Sequence, residues 1–539
     1  MLSDQACLQQ PPSFFMSSEL TTYDRVPYRS HPFRQTHPDR LATIARLMGL
    51  NPLPPDRCRV LELGCASGGN LIPMAEQLPK SEFVGIDASK LQVTEGLSLI
   101  SECQLQNVTL RHEDILKFPI QAESFDYILC HGVYSWVPDV VQKKILEICS
   151  RCLKAEGVAY ISYNTYPGWH MRGMIRDIMR YRARSFESPM MQLAQARGLL
   201  EFLSSSVKAD DNAYSLLLKS ELASISRADD SYLIHEQLEE INQPIYFHQF
   251  AEQAEAVGLQ YLAEAEFGVT AVENFPDNVR SMLQSVSRDV IETEQYMDFL
   301  RNRAFRQTLL CRRERVIDRK PRMEQLLHLR VASSARSETD VSTKDNSKVV
   351  FRRGSSALTT NNPTVKAAML HLRSIWPKSI PFVELASIAR SAAEQRPSAV
   401  NSDVMSAATQ DLAETMCRCF ATSQIDLHAI ESPFATTVSE RPSATRLARI
   451  QATRSSSVTN RLHEIISLDD FQRRVLCSLD GTRDRVAQVA LLTEQVLSGD
   501  LVMHHNGGRL VDADQVRQTV QTSLPETLAA LSRRALLVD

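Results

Sequence analysis

Short apolar runs alternate with stretches carrying apolar residues at three- and four-residue spacing through the first third of the chain. Arg59-Val60-Leu61-Glu62-Leu63 predicts a buried strand, and residues 70–78 the helix after it. Residues 82–87, 108–112, 125–130 and 157–162 predict four more strands, with helices over 90–104 and 139–153. Short strands bounded by turn signals and alternating with helices of this length predict a parallel sheet covered on both faces. The class is α/β.

From Trp169 to about residue 240 the pattern turns helical, and a helix over 250–257, a glycine and a strand over 258–264 follow. That order places a helical insert, about 186–240, before the last strands of the sheet. It would overhang the carboxyl edge where ligands bind, as a substrate cover or a dimer surface. Residues 332–347 are polar and read as a linker. Helical patterns recur at 364–375, 381–393 and 403–419, and after a polar stretch, 432–459, at 469–479 and 483–497. A hairpin turning on Asn506-Gly507 closes the pattern, so the C-terminal part reads as helical, winged-helix-like modules.

With 539 residues, 43% hydrophobic and 23% charged, the chain resembles an ordinary soluble protein of roughly three or four domains. No apolar run approaches the roughly 20 residues that span a bilayer. The start, Met1-Leu2-Ser3-Asp4-Gln5, lacks a secretory pattern, so a cytoplasmic setting without membrane insertion is expected. A net charge of -4 gives no pull towards nucleic acid. Arginines are nevertheless dense between Arg301 and Arg330. The eleven cysteines lack a disulfide spacing. Cys149-Ser150-Arg151-Cys152 lies in a helical pattern without two further ligands, and His504-His505 lies on the hairpin, so no metal is expected.

Glu62-Leu63-Gly64-Cys65-Ala66-Ser67-Gly68-Gly69 joins the first strand to the first helix. Glycines there admit left-handed backbone and let a ligand approach the main chain. Ala66 replaces the middle glycine of the dinucleotide fingerprint, which weakens a pyrophosphate reading. Glu62 suits the cationic ammonium end of S-adenosylmethionine. Asp87 ends the second strand and can accept both ribose hydroxyls; Asp114, with apolar Ile115 beside it, ends the third and suits the adenine. Ser67, Gly68, Cys130 and Gly132 complete the expected cofactor contacts, with Tyr23 from an aromatic leader ahead of the sheet. The acceptor side is expected in two aromatic loops. Residues 130–138 carry Tyr134 and Trp136, and residues 162–169 carry Tyr163, Tyr166 and Trp169. Ring faces attract cations by roughly 0.5–2 kcal/mol, which suits an amine acceptor in a channel of Tyr134, Trp136, Tyr166 and Trp169. His131 fits a cofactor-contacting or a structural role equally, and no residue stands out as a general base.

Residues 23–40, 61–70, 130–138 and 164–169 resemble the bacterial protein-lysine methyltransferases, whose best-known members are rickettsial enzymes acting on outer-membrane proteins. Residues 232–236, 260–262 and 296–306 resemble a methyltransferase regulatory domain. Trp376-Pro377 and residues 480–485 are similar to the family's C-terminal part. The resemblance implies a class I methyltransferase with a Rossmann-like sheet, S-adenosylmethionine as cofactor, a protein substrate, lysine as acceptor and a possible homodimer. The patterning and the resemblance together divide the chain into a leader (1–48), a catalytic domain (49–275), a helical regulatory segment (276–331), a linker (332–350) and two C-terminal modules (351–440, 460–539). A small-molecule methyltransferase and a non-enzymatic regulator with the same fold are the alternatives.

Overall fold

The computed structural model describes residues 25–26, 30–208, 212–394, 407–431, 434–505 and 508–538. Tyr23 and the turn pair Asn506-Gly507 lie outside them. Seven strands form the central sheet: β1 (Arg59–Leu63), β2 (Glu82–Asp87), β3 (Val108–His112), β4 (Phe125–Cys130), β5 (Leu153–Asn164), β6 (Leu259–Glu264) and β7 (Phe305–Arg312). Their order is 3-2-1-4-5-7-6. The first five are parallel, with Leu61 opposite Val84 on one side and Ile128 on the other. β7 runs antiparallel between β5 and β6. Strands β1 and β4 are buried along nearly their whole length, as a sheet covered on both faces requires.

Helices α1 (Pro38–Leu47), α2 (Leu71–Gln77), α3 (Lys90–Cys103) and α4 (Asp139–Cys152) cover the sheet. Cys149 and Cys152 are buried on α4, as packing residues. Pro38 opens α1, where its missing N–H costs nothing. α5 (Gly168–Ala183), α6 (Pro189–Ser206) and α7 (Ala213–Ile225) form the insert around Ile175, Met179, Leu193, Leu200 and Leu218. The insert therefore begins at the end of β5, earlier than residue 186. α8 (Phe247–Ala256) then leads into β6.

The boundary expected at 275 is not a break in the sheet. After α9 (Val290–Arg301), the chain re-enters the sheet as β7. Its arginines disguised the strand, because Arg306 and Thr308 are polar yet fully buried. Arg306 meets Glu264 (2.8 Å), Glu294 (3.0 Å) and Asp298 (2.8 Å), and Arg303 pairs with Glu264 (2.8 Å). The cluster ties β6, β7 and α9 together.

Residues 332–350 are not a linker. Ala332, Ser333 and Ala335 are buried, and the fully buried Lys366 ammonium donates to the Ser342 and Asp345 carbonyls at 3.1 and 3.0 Å. Short polar residues suit this loop because they ligate a cation. The first C-terminal module joins strands Ile380–Pro381, Arg330–Ala332 and Asp426–His428 to helices Pro363–Ile375, Phe382–Glu394 and Ala407–Ala421. The second has its own core of Val475, Leu476, Leu492, Val520 and Leu528. The polar stretch read as a separator holds the helix Arg446–Arg454 and strand β8 (Ser457–Thr459), which pairs as a hairpin with β9 (Ile465–Ser467) just beyond it. A final helix, Ala513–Arg533, follows the second hairpin.

The described end of the leader, residues 30–48, is clamped between the sheet and both modules. Asp39 accepts the Ala429 and Ile430 N–H groups at 2.7 and 3.1 Å and pairs with His428 at 2.7 Å. Arg34 bridges Asp426 (2.8 Å) and Glu464 (3.4 Å).

Candidate active site

The loop after β1 turns through three left-handed residues, Gly64 (φ 77°), Ala66 (φ 49°) and Gly68 (φ 76°). A Cβ on Gly64 would stand 2.4 Å from a Val133 methyl, so this position needs glycine twice over. Ala66 occupies a conformation that costs a non-glycine residue about 1–2 kcal/mol. Its N–H donates to Asp87 Oδ2 at 2.8 Å, which offsets the strain, while Ser89 N–H meets Oδ1 at 2.8 Å. The loop and the acid after β2 are therefore one unit. Gly69 lies under the leader: its N–H donates to Ser30 Oγ at 2.8 Å, and a Cβ there would stand 2.5 Å from the Ser30 carbonyl.

Glu62 is 3% exposed. Its Oε1 accepts from Asn70 Nδ2 at 2.7 Å, and its Oε2 is buried with no partner among the described residues. Burial, reinforced by Asp87, pushes its pKa up to about 7, against the hydrogen bond from Asn70. A buried carboxylate oxygen without a donor costs free energy until a ligand supplies one. A cationic ammonium would supply that donor, so the residues present suit S-adenosylmethionine.

Asp114 caps the short turn Ile115–Lys117 through Leu116 N–H (2.9 Å), half-buried with Ile115 at the end of β3. Cys130 is fully buried beneath the loop, its thiol pushed up by desolvation. Gly132 (φ 68°) faces open space, with nothing near its missing Cβ, and its N–H donates to Ser162 Oγ at 2.8 Å. Ser67 is half-buried in the same turn.

The aromatic loops divide. Tyr134 is fully buried, edge-on to Phe250, with its hydroxyl donating to Gln253 at 2.8 Å. It braces the core and does not line a channel. Tyr163 does likewise, stacked on Phe250 and bonded to Thr308 at 3.0 Å. Trp136 stands edge-on to Trp169 at 6.4 Å. Tyr166 and Trp169 line a groove of about 620 Å³ with His170, Met174, Asp177 and Tyr181. The Trp169 Nε1–H is buried and has no partner among the described residues. Tyr166 stacks on His170 at 4.1 Å, and His170 Nε2 lies 3.0 Å from the Tyr246 hydroxyl. The sequence reading missed His170 and Tyr246; only the position of His170 beside Trp169 could have signalled the first. It also missed Asn70, Phe33 and Phe305. Phe33 and Phe305 enclose His131 at 3.9 and 6.2 Å. Burial pushes the His131 pKa down to about 4, and its Nδ1 lies 2.8 Å from the Tyr160 hydroxyl.

A seven-stranded sheet of this order, a glycine loop and acids at successive strand ends define a class I, S-adenosylmethionine-dependent methyltransferase, and residues 55–210 match the family model described as a methyltransferase domain. Residues 229–312 match a predicted methyltransferase regulatory domain, and residues 440–536 the PKMT C-terminal winged helix domain. An uncharacterized protein of Rickettsia prowazekii is 33% identical over 525 residues, 96% of this chain and 93% of that one. A second from the same organism is 44% identical over 234 residues, 43% of this chain and 94% of its own length. The structure of PKMT2 from Rickettsia typhi, also solved in complex with AdoHcy, superposes with a TM-score of 0.84 at 32% identity, covering 95% of this chain and 100% of that one. The chain belongs to the protein-lysine methyltransferase (PKMT) family.

Proposed function

We propose that the enzyme methylates lysine side chains of polypeptide acceptors. The observation that carries this reading is the aromatic groove beside the sheet edge, whose lining among the described residues has Asp177 as its one acid and no lysine or arginine. Rings and one carboxylate suit a cationic amine on an alkyl stem. The match to the PKMT winged helix domain and the name of the R. typhi relative support it.

Glu62 receives the ammonium end of the cofactor, Asp87 the ribose hydroxyls, and Asp114 with Ile115 the adenine. Gly64, Ser67, Gly68, Cys130 and Gly132 shape the cradle. When bound, S-adenosylmethionine supplies an activated methyl group; the protein's work is alignment and desolvation. A lysine amine, with a reference pKa of about 10.4, must lose its proton before attack. Trp136, Tyr166 and Trp169 guide the stem and exclude water, which lowers that pKa. His170, oriented by Tyr246, accepts the proton.

The enzyme is cytoplasmic and bacterial in this reading. The ten described cysteines are all unpaired, as a reducing compartment favours, and no helix among the described residues is long and apolar enough to cross a membrane. It also forms a homodimer through the insert, which exposes Met190, Met191 and Phe202 besides the groove residues; light scattering that returns a monomer removes that part. The regulator alternative has less support, because the arginines between Arg301 and Arg330 bond to carboxylates or carbonyls of the protein itself, some buried and some, such as Arg313 with Glu255 and Arg322 with Asp318, at its surface. Arg312 and Arg319 bond the carbonyls of Leu153 and Leu262, and Arg315 pairs with Glu156.

Labelled S-adenosylmethionine incubated with enzyme and a lysate of the native host, followed by mass spectrometry, tests the acceptor. Label on lysines of a few proteins supports the proposal; label confined to small metabolites overturns it.

A further inference from the structure

The carboxylate of Glu62 is held by Asn70, and Asn70 is in turn held from the far end of the chain. Asn70 Nδ2 donates to Glu62 Oε1 at 2.7 Å and to Thr36 Oγ1 at 3.0 Å. Its Oδ1 accepts the Phe33 main-chain N–H at 3.0 Å and lies 2.8 Å from Nε2 of His463. A main-chain N–H can only donate, so Oδ1 must face Phe33 and the amide has one orientation. His463 therefore donates from Nε2–H. Its Nδ1 is bare and has no partner among the described residues. The ring is neutral, because burial and the neighbouring His37 hold its pKa well below the ordinary value.

His463 stands at the tip of the β8–β9 hairpin, 2% exposed, with φ at 59°. Left-handed backbone is uncommon outside glycine, even though histidine takes it more readily than most residues, and its neighbours hold it there. Asn460 imposes it here. Its Oδ1 accepts the Leu462 and Glu464 N–H groups at 2.9 Å each, while its Nδ2 donates to the Arg534 carbonyl at 3.0 Å. From the sheet side, Gln77 Nε2 reaches the Asn460 carbonyl at 3.4 Å. The tip is thus built as a rigid finger whose imidazole meets the cofactor domain.

We infer that His463, in the winged-helix module, is a positioning residue of the cofactor site: through Asn70 it fixes the Glu62 carboxylate that receives the ammonium group. The inference rests on the role of Glu62 proposed above. It makes the C-terminal module part of the cofactor site. Docking of that module and binding of the cofactor's amino-acid end are then linked, and each favours the other to the same degree.

Calorimetry on the full chain with two ligands tests it. S-adenosylhomocysteine carries the amino-acid end, and methylthioadenosine lacks it. His463→Ala is expected to weaken S-adenosylhomocysteine about tenfold, the worth of one buried hydrogen bond, and to leave methylthioadenosine within about twofold of wild type. His463→Gln, whose side-chain amide can donate where Nε2 did, restores most of the loss and covers the case in which the alanine variant fails to fold. Glu62→Gln is the reference and should lose the same ligand selectively. If Glu62→Gln is selective but His463→Ala binds both ligands like wild type, or weakens both equally, the inference is overturned and the role of Glu62 stands. If Glu62→Gln is not selective, that role fails and the inference falls with it.

Discussion

The Ala66 N–H donates to Asp87 Oδ2 across 2.8 Å, so the acid expected to hold the ribose also holds the loop expected to hold the amino-acid end. Asp87→Ala removes both at once. A hydrogen bond to a charged group is worth about 1.5–3 kcal/mol, and Ala66 is left in a left-handed backbone without its tether. Loss of at least 100-fold in S-adenosylhomocysteine affinity is expected by calorimetry. Trp136→Ala, by contrast, removes the ring packed against Trp169 and should spare that affinity while lowering turnover. Equal loss of cofactor affinity in both variants would show that Trp136, which backs Trp169 and is not among the groove's lining, does not serve the acceptor side.

Glu62 makes cofactor binding depend on pH. Its pKa in the free protein is raised to about 7, chiefly by burial. An ammonium beside it favours the ionised form, so binding below pH 7 must release a proton. Affinity for S-adenosylhomocysteine should therefore fall as pH drops from 8 towards 5, by up to tenfold per unit below 7. Stability of the free protein runs the other way: the folded state binds the proton more tightly than the unfolded chain, so this residue's penalty shrinks as pH falls through 7. Glu62→Gln should flatten the binding profile. A wild-type profile that is already flat sinks the assignment.

How much of this was legible from sequence depended on whether a residue's partner is near in the chain. β1 to β5 were readable because their apolar runs are short, bounded and alternate with helices. Glu62, Asp87 and Asp114 were nameable because their places at strand ends follow from those runs. β7 was not, since the partners that bury Arg306 (Glu264, Glu294 and Asp298) come from β6 and α9, and locally it reads as a basic, solvated stretch. Tyr134 was misplaced for a related reason. Its spacing puts it in an edge loop, but only Gln253, 119 residues away, shows that its hydroxyl turns inward. Asn70 followed the glycine loop in plain view. Its importance comes from His463, 393 residues on, which no local pattern announces.

His170 supplies a test of the acceptor side. Its Nε2 lies 3.0 Å from the Tyr246 hydroxyl, and its ring stacks on Tyr166 in the groove. If it takes the proton from the acceptor amine, His170→Gln should lower kcat at pH 7 by roughly 100-fold or more, the range for a lost general base. The deficit should shrink towards pH 10, where more of the amine is already neutral. Binding of S-adenosylhomocysteine should not change. A uniform kcat deficit from pH 7 to 10 would reduce His170 to a packing role.

Arg306 gives the strongest prediction for stability. It is fully buried, lies over the Phe247 ring at 3.7 Å, and pairs with three carboxylates. Attraction to Arg303 and Arg306 holds Glu264 below its ordinary pKa, whereas desolvation raises Glu294 and Asp298. Arg306→Met leaves those acids buried with only Arg303 nearby, a change that costs about 3–5 kcal/mol in comparable buried pairs. A fall in Tm of about 10 °C is expected by calorimetry. Lysine should not rescue it, because one ammonium cannot reproduce the planar fork. The deficit should narrow as pH falls from 7 to 5, since the uncompensated carboxyls then take up protons more readily folded than unfolded. Thr308 bonds Glu264 at 2.8 Å and Tyr163 at 3.0 Å, so the same change should loosen the end of β5 that carries Tyr166 and Trp169. Turnover should then fall at temperatures where the variant is still folded. A variant as stable as wild type would show that the cluster does not hold β7 in the sheet.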